Sequence, residues 1–157
     1  MHNLPFRYFL RVRYGECDAQ QVVFNARWSD YVDLAVSEFL RTLGFGDALG
    51  SGELDYQLVK QTTEWHSPAR FDDVLEVRVQ TRKVGTTSFT IACEFRRADR
   101  EPLLANSETV YVRVDANTFN KLPVSPALRS ALERGAPNRI SDHAGRLAGD
   151  TTHNPTP

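Results

Sequence analysis

Trp28, Val32, Ala35, Phe39 and Leu43 recur at spacings of three and four, which places them on one face of a helix spanning 26–44. Tyr31, Leu34 and Leu40 widen the apolar stripe, so this helix is expected to be deeply buried. Asn25 is a favourable N-cap, Asp30 and Asp33 put negative charge near the helix start, and Gly44 and Gly46 supply a stop. The other segments carry strand patterns. Tyr8 to Tyr14 alternates from Leu10 onward, and 54–67 is a long run with Tyr56, Leu58, Val59, Thr62, Thr63 and Trp65, broken at Pro68. Val74 to Thr81 alternates cleanly. In 88–97, Phe89, Ile91, Cys93 and Phe95 share a face, and in 103–115 Val110, Val112 and Val114 do so. The intervening 45–53 reads as a Gly-rich loop, while 85–87 and 98–102 read as turns. Ser125 is placed to cap a short helix from Pro126 to Arg134. One strand, one long helix and then consecutive strands make an α+β pattern, an antiparallel sheet packed on one side by a helix.

The chain has 157 residues, enough for one domain with a real core, here 1–135. Beyond Gly135 the composition turns to Asn, Ser, Asp, Thr, Gly and Pro, so 136–157 is expected to be a disordered tail. A formal net charge of -1 provides no global field for nucleic acid. Cys17 and Cys93 are the only cysteines, which suits a reducing compartment better than a disulfide scaffold, and no CxxC spacing suggests zinc. The N-terminus lacks an apolar leader and no apolar run approaches membrane length, so a cytoplasmic protein without membrane contact is expected.

The stretch before the long helix carries the candidate chemistry. Asp18 lies close to a helix start, where backbone N–H groups lack intrahelical partners. A carboxylate there can attack a polarised carbonyl, or it can be a turn or cap residue; local chemistry leaves both open. Gly15-Glu16-Cys17-Asp18-Ala19, then Val22-Val23 and an aromatic, then a long helix, resembles the start of the 4-hydroxybenzoyl-CoA thioesterase family of hotdog-fold proteins. Phe71-Asp72-Asp73-Val74-Leu75 and Thr87-Ser88-Phe89 resemble its later strands in order, so that the likeness runs from about Arg11 to about Pro123.

The resemblance implies a hotdog fold, in which an antiparallel sheet wraps one long central helix. It implies an acyl-CoA thioesterase with Asp18 as catalytic carboxylate. The start of the helix, at Phe24 and Asn25, would supply N–H groups to the thioester carbonyl. Asn25 stands where the family often has Tyr or His, which keeps the backbone role and removes any acid–base role for the side chain. Gln21 stands where many members have Gly, which changes the loop's backbone options. The turn with Lys83, Gly85, Thr86 and Ser88 offers cations and hydroxyls suited to phosphate; the matching family turn contacts the CoA nucleotide, with Ser88 matching directly and Thr86-Thr87 standing where some members have cations. Read locally, the same turn is a solvated hairpin. His66 is a candidate pocket residue, and His2, His143 and His153 are expected to be inert. Glu38 is read as structural, and Arg96, Arg97 and Arg100 as a surface group. Homodimers or homotetramers are expected, with no metal or redox cofactor. The alternative is a non-catalytic acyl-CoA-binding or interaction hotdog protein in which Asp18 only orders its loop.

Overall fold

The computed structural model describes residues 3–146. Its sheet has six strands: β1 (Phe6–Arg11), β2 (Asp55–Trp65), β3 (Val74–Val84), β4 (Ser88–Arg97), β5 (Leu103–Val114) and β6 (Ile140–Asp142). Their order across the sheet is β2-β5-β4-β3-β1-β6, antiparallel throughout except for the parallel β1–β6 pair. The long helix is α1 (Trp28–Leu40), entered through a 3-10 turn at Asn25–Arg27. The sheet packs around this helix in the hotdog arrangement.

The inner face of α1 is Trp28, Tyr31, Val32, Ala35, Val36, Phe39 and Leu40, all buried. It meets Val77 of β3 and Phe89, Ile91 and Phe95 of β4, which are buried on the facing side of the sheet. The Trp28 and Phe95 rings meet edge to face at 5.1 Å, and Phe39 meets Phe6 at 5.6 Å. Burying each such side chain contributes about 1.5–3 kcal/mol, so this seam anchors the helix against the sheet. Leu34, read as part of the stripe, is instead 38% exposed.

Three expectations are corrected. The stretch 45–53 is not a loop: after a π-type turn at Arg41–Phe45, α2 (Gly46–Ser51) follows. Gly44 at φ 101 turns the chain out of α1, and Gly52 at φ 81 ends α2. Phe45, Ala48 and Leu49 pack half-buried on the core, and their helical spacing outweighs the glycines around them. Asn25 is not a side-chain cap, for it opens the 3-10 turn after an extended Phe24 with no cap hydrogen bond.

The third correction concerns the tail. Within 136–146, β6 lies along β1 with Tyr8 opposite Ser141. Asn138 N–H donates to the Leu4 carbonyl at 2.8 Å and His143 N–H to the Phe9 carbonyl at 2.9 Å. Composition conceals this segment because its binding rests on backbone pairing with an otherwise open edge and on polar side-chain contacts, Ser141 with Glu38 and His143 with Tyr8, to residues distant in sequence. Residues 147–157 lie outside the described residues. The short helix α3 (Pro126–Arg134) forms as expected, with the Ser125 hydroxyl accepting the Leu128 N–H at 3.2 Å. No helix among the described residues is long and apolar enough to cross a membrane.

Candidate active site

After β1 the chain is pinned by Val12 N–H to the Asp73 carbonyl, then enters a 3-10 turn at Tyr14–Glu16. From Cys17 to Val23 it forms a closed loop: Asp18 N–H donates to the Val22 carbonyl and Gln21 N–H to the Asp18 carbonyl, each at 2.9 Å. Gln21 holds φ +61, the left-handed region that glycine occupies freely. The loop rests on 69–71 through Val23 N–H to Ala69 O and Phe71 N–H to Gln21 O.

One oxygen of Asp18 accepts the Gln20 N–H at 2.8 Å. Among the described residues this is the carboxylate's only hydrogen bond, which leaves the other oxygen available to a ligand. Asp18 lines a cleft of about 620 Å³ with Tyr14, Gly15, Cys17, Ala19, Gln21 and Phe71. The Tyr14 and Phe71 rings meet edge to face at 5.9 Å and give it an aromatic wall. Burial and the charges of Glu16, Asp18 and Asp73 push the Cys17 thiol up, which keeps it protonated and a poor nucleophile.

The helix start lies in a second cleft, also about 620 Å³, lined by Asn25, Ala26, Trp28, Ser29, Gln61, Thr62, Thr63 and Trp65. Asn25 and Ala26 open the 3-10 turn, so their N–H groups have no acceptor within it. Phe24 N–H is committed to the Glu16 carbonyl at 2.9 Å, which narrows the expected N–H pair to Asn25 and Ala26. Asp18 and Asn25, expected together, thus line separate clefts of one chain. A polar relay missed by sequence reasoning backs the second cleft. Ser29 donates to Gln61 at 2.9 Å, and Gln61 donates to the fully buried Thr109 at 2.9 Å.

Neither cleft is lined by His66, which is exposed and holds Asn106 at 2.7 Å. Lys83, Gly85, Thr86 and Ser88 also lie outside both clefts, at the β3–β4 turn. That turn is tight: Gly85 N–H donates to the Ser88 carbonyl at 2.7 Å, and a Cβ on Gly85 would meet Ser88 Oγ at 2.8 Å. Arg129 of α3 donates to the Gly85 carbonyl at 2.7 Å and adds a cation that no local pattern announced. Arg97 is not a free surface charge, because it joins Asp73 at 2.9 Å and the Pro68 carbonyl at 2.7 Å. Glu38 is structural, accepting from Ser141 at 3.0 Å, and His143 meets the Tyr8 hydroxyl at 2.8 Å.

A family model for the thioesterase-like superfamily matches residues 12–132. The chain belongs to the thioesterase-like superfamily. The matched span includes the Asp18 loop, α1 and the β3–β4 turn, and ends before β6. The chain is similar to the acyl-CoA thioester hydrolase YbgC of Escherichia coli, with 32% identity over 116 residues, 73% of this chain and 86% of that protein. A solved gentisyl-coenzyme A thioesterase superposes with a TM-score of 0.71 at 26% identity, covering 81% of this chain and 98% of its own. A solved protein from Aquifex aeolicus gives a TM-score of 0.75 at 26% identity, with 82% and 99% covered.

Proposed function

We propose that this thioester hydrolase cleaves an acyl-CoA to a carboxylic acid and CoA, with Asp18 as the catalytic carboxylate. The observation that carries the reading is an Asp18 oxygen without a hydrogen bond among the described residues, on a side chain that lines a cleft walled by the Tyr14 and Phe71 rings. A thioester is activated but still needs a nucleophile and a place for developing oxyanion charge. In one route an Asp18 oxygen adds to the carbonyl carbon and the C–S bond breaks. CoA leaves as thiolate and takes a proton from solvent, and water then hydrolyses the mixed anhydride. In the other route Asp18 takes a proton from water as the resulting hydroxide adds to the carbonyl, and the C–S bond breaks in the same way. The Asn25 and Ala26 N–H groups are assigned to the carbonyl oxygen in both routes.

Asp18 and Asn25 line different clefts, and β2 is an edge strand that exposes Leu58, Val59 and Trp65. An exposed apolar edge strand favours pairing with another chain. A homodimer or homotetramer therefore belongs to the proposal. The CoA nucleotide is assigned to the turn at Lys83, Gly85, Thr86 and Ser88, with Arg129 behind it. Turnover of a panel of aromatic, short-chain and long-chain acyl-CoAs tests the reading. Release of free thiol above the uncatalysed rate from at least one is expected. Tight binding of these compounds with no turnover would instead favour a non-catalytic acyl-CoA-binding protein.

A further inference from the structure

Glu16 joins the pieces of chain that frame the proposed site. Its side chain is nearly buried, 10% exposed. Oε1 accepts the Arg13 backbone N–H at 2.8 Å and the Tyr31 hydroxyl at 2.9 Å. Oε2 accepts Arg13 Nε at 3.0 Å and Nη2 at 2.8 Å. The Glu16 main-chain carbonyl accepts the Phe24 N–H at 2.9 Å. One residue therefore holds the segment after β1 through Arg13, the body of α1 through Tyr31 and the entry to the helix through Phe24.

The Asp18 loop lies between Glu16 and Phe24, so both of its ends hang on Glu16. The bonds inside the loop give it a shape without fixing it against the helix. Its contacts with Ala69 and Phe71 reach the segment before β3. Among the described residues, the hydrogen bond that reaches from the stretch 12–23 to α1 is the one the Tyr31 hydroxyl donates to Glu16.

We propose that Glu16 is a positioning residue, which fixes the Asp18 loop against α1 and the entry to the helix and so sets where the Asp18 carboxylate sits in its cleft. The inference rests on the assignment of Asp18 as the catalytic carboxylate. Four hydrogen bonds converge on this nearly buried carboxylate, and misplacement by 1 Å at a reacting centre costs about a hundredfold in rate.

The test is steady-state kinetics on an acyl-CoA that the wild type turns over. Glu16→Gln keeps the size and one acceptor oxygen but loses the charge-assisted fork from Arg13. It should lower kcat about ten- to a hundredfold and leave KM within about twofold, since only the placement of reacting groups changes. Tyr31→Phe removes one hydroxyl and keeps the ring against Trp28. It should lower kcat about three- to tenfold, the scale of one hydrogen bond, and it carries the test if Glu16→Gln fails to fold. In an Asp18→Asn background neither substitution should lower the residual kcat further, because the group they position is gone. Wild-type kcat with a lowered melting temperature would overturn the inference, leaving Glu16 a stability residue. A full additional loss in the Asp18→Asn background would also overturn it. Failure of the underlying assignment shows separately, as an Asp18→Asn single variant that keeps its activity.

Discussion

Truncation after Arg139 removes β6 and sets two readings of the C-terminal segment against each other. Composition makes it a free tail; the structure pairs Ile140–Asp142 with Arg7–Phe9 and ties Ser141 to Glu38 at 3.0 Å. The Ser141 bond gives the clearest magnitude, because it can be deleted alone as Ser141→Ala. The Glu38 side chain is only 16% exposed, and its other oxygen is shared with Arg41 at 3.3 Å. A hydrogen bond to a charged group is worth about 1.5–3 kcal/mol, and partial access of water to Glu38 argues for the lower end. At about 2–4 °C per kcal/mol for a domain of this length, Ser141→Ala should lower Tm by about 3–6 °C. The truncation should lower it at least as far, since it also removes the backbone pairing and the Tyr8–His143 contact at 2.8 Å. Thermal unfolding followed by circular dichroism reads both variants, and kcat per folded molecule should not change, because β6 touches neither cleft. A truncated protein with the wild-type Tm would refute the docking and return the segment to a free tail.

Two further outcomes follow from the charged groups. Lys83→Ala should raise KM for acyl-CoA several-fold and leave kcat intact, since one screened charge contact is worth about 1 kcal/mol and acts equally in ground and transition states. A short thioester without the nucleotide should not distinguish the two proteins, and equal losses on both substrates would remove the turn from the CoA site. Burial alone would raise the Glu16 carboxyl, but hydrogen bonds from Arg13 and Tyr31 outweigh it and hold the carboxyl below its ordinary value. A lowered folded value means stability that is present above the ordinary glutamate range and lost as pH falls through the folded value. Denaturant melts of wild type and Glu16→Gln should therefore converge on acidification through that window, and a constant gap between them would contradict the sign.

The parts of the fold that periodicity reveals are those whose packing repeats along the chain. The stripe from Trp28 to Phe39 and the alternation of Phe89, Ile91, Cys93 and Phe95 are such repeats, and each faces the core. What was missed depends on partners distant in sequence. The α2 turn is held by Phe45, Ala48 and Leu49 against a core that a Gly count does not register. β6 is held by an edge more than a hundred residues earlier in the chain. At the site, local chemistry points to Asp18 as an acid near a helix start, and the resemblance supplies the catalytic role proposed for it. The Ser29–Gln61–Thr109 relay and the Tyr31–Glu16 bond join residues with no shared motif, so no spacing could have announced them.

The central claim is that Asp18 performs the chemistry, and kcat of Asp18→Asn on a substrate turned over by the wild type tests it most directly. The substitution keeps size and the loop's backbone bonds while removing the nucleophilic, proton-accepting oxygen. The account predicts a fall in kcat of about a hundredfold or more, the scale of lost acid–base or nucleophilic catalysis, with Tm nearly unchanged. An Asp18→Asn protein that folds normally and keeps most of its turnover would contradict it.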